Sequence, residues 1–84
     1  IEKFTLERDW GQFHTPRNIA TSISIEAAEL MEIFQWEDFS GEIINSDEKL
    51  KLSVSDEIAD VMIYCLRMCR IIDINPLEIM DNKM

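Results

Sequence analysis

The chain has 84 residues, of which 17 are acidic and 8 are Lys or Arg, and its formal net charge is −9. This charge opposes binding to the backbone of DNA or RNA and to anionic membranes, and it favours a cationic ligand. The longest unbroken apolar run, residues 61–66, is far too short to span a bilayer. We therefore expect no nucleic-acid polymer or membrane partner, and we predict a cytoplasmic location.

A chain of this length supports one domain at most, so a single domain over residues 1–84 is expected. The sequence begins with Ile1 and not Met, which is typical of a core fragment of a longer protein. A domain of this size buries only about 60 to 65 % of its unfolded surface and is marginally stable alone. We therefore expect a homo-oligomer.

The first half of the chain contains two predicted helices. The first covers residues 2–13, where apolar residues recur at helical spacing. Thr15 is a plausible N-cap and Pro16 is a favoured first helical residue, so a second helix is predicted from about 16 to 36. Gly41 marks the loop that follows.

The second half contains two more predicted helices. Ser46 or Asp47 begins the third, which continues to about Ile72 and is apolar on almost every face. Such a helix is either central in its domain or shared with another subunit. The pair Asn75-Pro76 begins a fourth helix, which is cut off at the end of the chain. No segment alternates with period two, so the prediction is an all-α bundle without strands.

Carboxylates interrupt the apolar stripes of the second and third helices. Glu26 occupies a position where the pattern of Ile19, Ile23, Leu30 and Ile33 asks for a hydrophobe. Glu57 interrupts the corresponding stripe of the third helix, formed by Leu50, Val54, Val61, Tyr64 and Met68. Each belongs to an i, i+3 pair, Glu26 with Glu29 and Glu57 with Asp60, which places both members on one helical face. A short connection favours antiparallel neighbours whose stripes face each other.

Four carboxylates in facing apolar stripes require a positive partner, because each unpaired charge there costs several kcal/mol. Neither stripe contains Lys or Arg, and all-oxygen ligands favour Mg²⁺, with Mn²⁺ as the other candidate. A ferritin-like di-iron site needs Glu-x-x-His pairs, which are absent. A lone ExxE usually marks only a solvated face, but two pairs within apolar stripes reverse that interpretation. Glu32 extends the same face, either as a further ligand or, more commonly, as a solvated acid.

These residues resemble the MazG-like all-α nucleoside triphosphate pyrophosphohydrolases, whose motif is ExxE, a spacer and ExxD. Here the motif is Glu26-Ala-Ala-Glu29, twenty-seven intervening residues and Glu57-Ile-Ala-Asp60. The sequence is most similar to the dCTP pyrophosphatase branch, through ERDWGQFHTPRN (7–18), AAELMEIFQW (27–36) and DEIADVMIY (56–64). The first of these stretches is more specific than the acidic motif.

The resemblance implies Mg²⁺-dependent hydrolysis of a nucleoside triphosphate between its α- and β-phosphates, with Glu26, Glu29, Glu57 and Asp60 as metal ligands. It implies a MazG-like helical bundle that is shared between subunits of a dimer or tetramer. It also implies that Trp10 and Trp36 help to form the base pocket and that Tyr64 lies beside metal and phosphates. Without the resemblance, both tryptophans would be read as core aromatics.

Two further sets of residues are candidates for the reaction. Glu29 and Glu57 are the catalytic candidates, and Glu29 is preferred as the base that orients water. Near the first turn of the second helix, His14, Arg17 and Asn18 are candidates for holding an anion, although each also has an ordinary structural interpretation.

Two alternative functions stay open. One is hydrolysis of dUTP or another noncanonical nucleotide in place of dCTP or a modified dCTP. The other is a non-catalytic acidic helical module that serves only for dimerisation.

Overall fold

The computed structural model describes residues 15–84, and this part of the chain contains four helices. They are α1 (Pro16–Ile33), α2 (Gly41–Ser46), α3 (Glu48–Ile71) and α4 (Pro76–Lys83). No strand occurs within residues 15–84, so the all-α prediction is confirmed. The helix predicted over 2–13, together with Trp10 and His14, lies outside the described residues.

The predicted helix starts are confirmed by their capping hydrogen bonds. Thr15 precedes α1, Asp47 precedes α3 and Asn75 precedes α4, and each side chain accepts from backbone N–H groups of its own first turn. Pro16 and Pro76 follow two of these caps, where no N–H is needed by the helix. Polar capping residues and prolines therefore determine where three of the helices begin.

The second predicted helix ends earlier than its apolar pattern indicated. The N–H groups of Phe34 and Gln35 donate to the carbonyls of Met31 and Glu32, at 3.0 and 3.1 Å. These i→i−3 bonds tighten the last turn and end α1 at Ile33 instead of residue 36. Position 36 is consequently outside the helix.

Helix α2 occupies part of the segment that was predicted to be a loop. Ser40 is its N-cap, and the Ser40 Oγ accepts from the backbone N–H of Ile43 at 3.2 Å. Gly41 is the first residue of the helix and not a loop marker. The prediction was wrong because it weighted the glycine above the serine cap that precedes it.

A Schellman motif ends α3. The N–H of Ile74 donates to the carbonyl of Cys69 at 2.9 Å, and the N–H of Asp73 donates to the carbonyl of Arg70 at 3.3 Å. Asp73 has φ of 65°, the left-handed conformation that this motif requires and that glycine adopts most easily. The motif turns the chain from α3 into α4.

Helix α3 is the central element of the described chain, because both α1 and α2 pack against it. Among the described residues, Ile19 and Cys69 are the buried hydrophobic side chains, and the stripe positions of α1 and α3 are mostly half-buried. The outer face of α3 is open, with Met62 57 % exposed and Leu66 50 % exposed. Of the two predicted alternatives, a central helix or a helix shared with another subunit, the described residues show a central helix, and one subunit does not bury all of its faces.

No described helix has the length and apolar character needed to cross a membrane.

Candidate metal centre

The two acidic motifs lie opposite each other on the antiparallel pair α1 and α3. Glu26 interacts with Asp60, and Glu29 interacts with Glu57. Three residues forward along α1 therefore correspond to three residues back along α3. The apolar stripes hold the two helices together, so the acids that interrupt these stripes are brought into the same interhelical seam.

Three of the carboxyl groups converge. One oxygen each from Glu26, Glu57 and Asp60 lies within 4.8 Å of the other two. Glu26 and Glu57 are half-buried in the seam, whereas Asp60 is exposed at its edge. Glu29, the fourth predicted ligand, is exposed and does not belong to this group of converging oxygens.

The surroundings disfavour the ionised forms of two of these acids. Removal from water raises the pKa of the Glu26 carboxyl above its ordinary value of 4.5, and the neighbouring charges of Glu29, Asp60 and Glu57 raise it further. The pKa of the Glu57 carboxyl is also raised, first by removal from water and then by the charges of Glu29, Asp60 and Asp56. Removal from water is the larger cause of both raised pKa values, and repulsion between close carboxylates adds to it.

The Glu57 Oε1 is the most informative atom of the centre, because it is buried and has no hydrogen-bond partner within residues 15–84. Two ionised carboxylates cannot donate to each other, so Glu29 can share a hydrogen bond with Glu57 only when one of them is protonated. A buried carboxylate oxygen without a partner is costly. A hard divalent cation would satisfy this oxygen, and the all-carboxylate donor set fits Mg²⁺ or Mn²⁺.

An open cavity of about 380 Å³ adjoins the converging carboxyls. Glu29 and Glu57 line it, together with Glu32, Ile33 and Ser53. Ser53 was missed by sequence reasoning, although it precedes Glu57 by one helical turn on the same face of α3. The i, i+4 spacing from a predicted site residue was the signal that could have revealed it.

Positive charge and an aromatic hydroxyl lie at the opposite end of the centre. Tyr64 is half-buried and follows Asp60 by one turn of α3. The guanidinium carbon of Arg67 lies 5.9 Å from the centroid of the Tyr64 ring, within the range of a cation–π contact. Sequence reasoning selected Tyr64 but missed Arg67.

The remaining predicted site residues lie away from the converging carboxyls. Arg17 and Asn18 are exposed in the first turn of α1, and the backbone N–H of Asn18 donates to the Thr15 Oγ1 at 3.2 Å. Trp36 is 89 % exposed and lies just beyond the C-terminal end of α1. The structure places none of these three side chains in the carboxylate cluster, so their substrate-binding roles stay predictions.

An antiparallel helix pair that brings together the acids of an ExxE and an ExxD segment defines an all-α protein with a candidate divalent-cation centre. The model of the MazG-like family matches residues 21–84 of the chain. The chain belongs to the MazG-like family.

Two curated mammalian proteins of the same name are similar to the chain. Human dCTP pyrophosphatase 1 is 36 % identical over 73 residues, which are 82 % of this chain and 43 % of the relative. The rat protein of the same name is 36 % identical over 67 residues, 79 % of this chain and 39 % of the relative. The chain thus spans about two fifths of the length of these curated relatives.

The crystal structure of a pyrophosphatase from Archaeoglobus fulgidus DSM 4304 is similar to the chain with a TM-score of 0.79 and 49 % sequence identity. The match covers 99 % of this chain and 77 % of the other.

Proposed function

We propose that this chain is a nucleoside triphosphate pyrophosphohydrolase that uses Mg²⁺, with Mn²⁺ as a substitute, to produce a nucleoside monophosphate and pyrophosphate. The observation that carries the proposal is the convergence of carboxyl oxygens from Glu26, Glu57 and Asp60, together with a buried Glu57 oxygen that has no hydrogen-bond partner among the described residues. Membership of the MazG-like family and similarity to proteins named pyrophosphatase support it. Each of these proteins is a relative, and its activity is extended to this chain only as a proposal.

Glu26, Glu57 and Asp60 would hold the cation, and Glu29 would complete the set or contact a bound water. A bound divalent cation supplies charge neutralisation for the phosphates and for the pyrophosphate that leaves. The protein must otherwise position the substrate and a water molecule, because the chemistry needs little more.

Glu29 is proposed as the base. It lines the cavity, it is exposed, and it lies outside the group of converging oxygens, so its carboxylate can accept a hydrogen bond from water. The water oxygen forms a bond to the α-phosphorus while its proton passes to Glu29. The bond between the α-phosphorus and the bridging oxygen breaks, and its electron pair leaves with pyrophosphate. Glu57 is the second catalytic candidate, because it would hold the cation and also lies beside Glu29.

The substrate proposed is dCTP or a modified dCTP, because the curated relatives are named dCTP pyrophosphatase 1. The alternative is dUTP or another noncanonical triphosphate. A panel of nucleoside triphosphates distinguishes these substrates by kcat/KM for pyrophosphate release, with and without Mg²⁺.

The test of the activity uses Asp60→Asn with Asp81→Asn as its control. Asp81 is an exposed acid on α4, so its replacement makes the same chemical change away from the centre. Metal-dependent pyrophosphate release by the wild type and by Asp81→Asn, with at least a hundredfold loss in Asp60→Asn, is the expected result. No release by the wild type from any nucleotide would overturn the proposed function and favour the acidic dimerisation module.

We also propose that the chain works as a homo-oligomer. A groove of about 300 Å³ between α3 and α4 is lined by apolar side chains, namely Met62, Cys65, Leu66, Cys69, Pro76, Ile79 and Met80. Several of these are about half exposed in the single subunit. Covering such a surface would stabilise a domain this small. A second copy presents the same apolar groove across a twofold axis.

A further inference from the structure

The cavity beside the carboxylate centre extends beyond the residues that would hold a cation. Glu32 follows Glu29 by one turn of α1, and Ser53 precedes Glu57 by one turn of α3. Because the helices are antiparallel, both residues lie on the side of the centre that is farther from Asp60. The cavity therefore has one end at the cation ligands and another end at Glu32 and Ser53.

The lining of this cavity excludes a bare phosphate group. Glu29, Glu32 and Glu57 contribute three carboxylates, and no Lys, Arg or His lines it among the described residues. Ionised carboxylates only accept hydrogen bonds and repel a polyphosphate that is not accompanied by a cation. Beyond the cation ligands, such a lining fits a group that carries O–H or N–H donors.

Ser53 is the lining residue that can both donate and accept without carrying charge. Its hydroxyl makes no hydrogen bond to another side chain or carbonyl of the described residues. It is exposed, so a bound molecule can reach the hydroxyl.

The opposite end of the centre suits the phosphates better. Tyr64 and Arg67 follow Asp60 by one and two turns of α3, so this guanidinium lies on the side away from Ser53. Lys49 precedes Ser53 by one turn but does not line the cavity. A substrate that extends along the helix pair would place its polyphosphate towards Arg67 and its sugar and base towards Ser53. The cavity volume lies within the range of about 300–1,000 Å³ that small-molecule sites occupy.

From this arrangement we infer that Ser53, with Glu32, contacts the sugar and base of the nucleotide and is a specificity-determining position. The inference rests on the proposed function for its substrate class. Ser53 would exchange hydrogen bonds with the nucleoside, and the Glu32 carboxylate would accept from a sugar hydroxyl or a base N–H. Neither residue takes part in the bond-breaking step.

The test compares Ser53→Ala and Ser53→Thr with the control Ser55→Ala in the full chain. Ser55 is an exposed serine on the same helix that does not line the cavity. Two dissociation constants are measured with Mg²⁺ present, one for the deoxynucleoside monophosphate of the preferred base and one for inorganic tripolyphosphate. KM and kcat for the triphosphate are measured in parallel.

Because Ser53→Ala removes one hydrogen bond to the nucleoside, it should weaken monophosphate binding and raise KM by about three- to tenfold. Tripolyphosphate binding and kcat should stay within about twofold of the wild type. Ser53→Thr should restore binding because it keeps the hydroxyl, and Ser55→Ala should resemble the wild type.

Equal weakening of monophosphate and tripolyphosphate would overturn the inference, as would no weakening of either. Failure of the wild type to bind the monophosphate would also overturn it. Selective monophosphate binding that depends on Ser53, without pyrophosphate release, would support the nucleoside contact while contradicting the proposed reaction. The binding and turnover measurements therefore separate the two proposals.

Discussion

Glu26 on α1 and Asp60 on α3 face each other across the helix pair, with carboxyl oxygens that lie within 4.8 Å of one another. Glu57 contributes a third oxygen to the same space. Three carboxyl groups at this separation repel one another when ionised, so the site opposes the stability of the metal-free fold. This conflict between site and stability leads to the first two predictions.

Addition of Mg²⁺ should stabilise the folded chain by mass action. At a cation concentration of one hundred times Kd the gain is about 2.7 kcal/mol, which for a domain of this size raises Tm by about 10 °C or more. Asp60→Asn should lose most of the gain, and Asp81→Asn should keep it. Thermal unfolding with and without Mg²⁺ measures the shift. A wild-type Tm that is independent of Mg²⁺ and Mn²⁺ would contradict the metal centre.

In the absence of metal, Asp60→Asn should not lower the stability of the folded chain. Replacing Asp60 with Asn removes a charge that repels Glu26 and Glu57, so the metal-free variant should be at least as stable as the wild type. Urea unfolding in the presence of a chelator measures the free energy of unfolding. A clear loss of stability in Asp60→Asn, with none in Asp81→Asn, would show that Asp60 is needed by the fold itself.

Stability of the metal-free protein should fall as pH rises above about 4.5. The pKa values of Glu26 and Glu57 are raised in the folded state, first through removal from water and then through neighbouring charges. The folded chain therefore binds more protons than the unfolded chain above pH 4.5, and this contribution to stability is lost as pH rises through the folded-state pKa values. Mg²⁺ affinity should rise with pH over the same interval, because the cation requires ionised ligands.

The pH effect is measured as the difference in unfolding free energy between the wild type and Glu57→Gln, since this difference cancels the contributions of acids that do not interact with Glu57. The wild type should lose stability relative to Glu57→Gln on going from about pH 4 to about pH 8. A wild type that gains stability relative to the variant over this interval would contradict the raised pKa of Glu57.

Replacing Asp73 with glycine should stabilise the chain. Asp73 has φ of 65° in the turn after α3, and glycine adopts this conformation without a Cβ penalty. The change also removes a negative charge from the C-terminal end of the α3 dipole. We expect a gain of about 1 kcal/mol, measured by urea unfolding. Asp73→Ala keeps the Cβ and serves as the comparison; it should be less stable than the glycine variant.

Leu66→Asp should separate the proposed oligomer into monomers, because it places a charge in the apolar groove between α3 and α4. Leu52→Asp is the matched control: Leu52 is also exposed on α3 but does not line that groove. Sedimentation or light scattering measures the mass in solution. If Leu66→Asp unfolds, Met80→Lys tests the same surface from α4.

Equal dissociation of Leu66→Asp and Leu52→Asp would mean that the groove is not the contact between subunits. A wild type that is monomeric at all concentrations would remove the oligomer from the proposal.

The helices α1, α3 and α4 and the acids of the seam could be predicted because they depend on local signals. Thr15, Asp47 and Asn75 are capping residues whose side chains accept hydrogen bonds within three residues, so short sequence motifs describe them completely. The positions of Glu26 and Glu57 within apolar stripes also follow from helical periodicity alone. Glu26 and Glu57 are half-buried in the seam, as this periodicity requires.

The other features of the fold and site depend on distances and competing hydrogen bonds that helical periodicity does not determine. Glu26 and Glu29 share a face, yet only Glu26 belongs to the converging group, because the i, i+3 offset leaves Glu29 towards the cavity. The end of α1 at Ile33 and the helix that begins at Gly41 depend on competing hydrogen bonds in the connection. The outer face of α3 is exposed in the single subunit, because an apolar pattern does not specify what covers it. The predicted roles of Trp36, Arg17 and Asn18 and the cytoplasmic location stay predictions.

The antiparallel pairing of Glu26 with Asp60 and of Glu29 with Glu57 also determines which changes of chain length the protein can tolerate. Residues inserted into the connection between α1 and α2 do not change the register of α1 against α3. The acids of these two helices therefore still meet. One residue inserted in α3 between Val54 and Glu57 rotates every later side chain by about 100°, which turns Asp60 away from α1. The length of the connection can therefore vary, whereas the spacing of the acids within α1 and within α3 cannot.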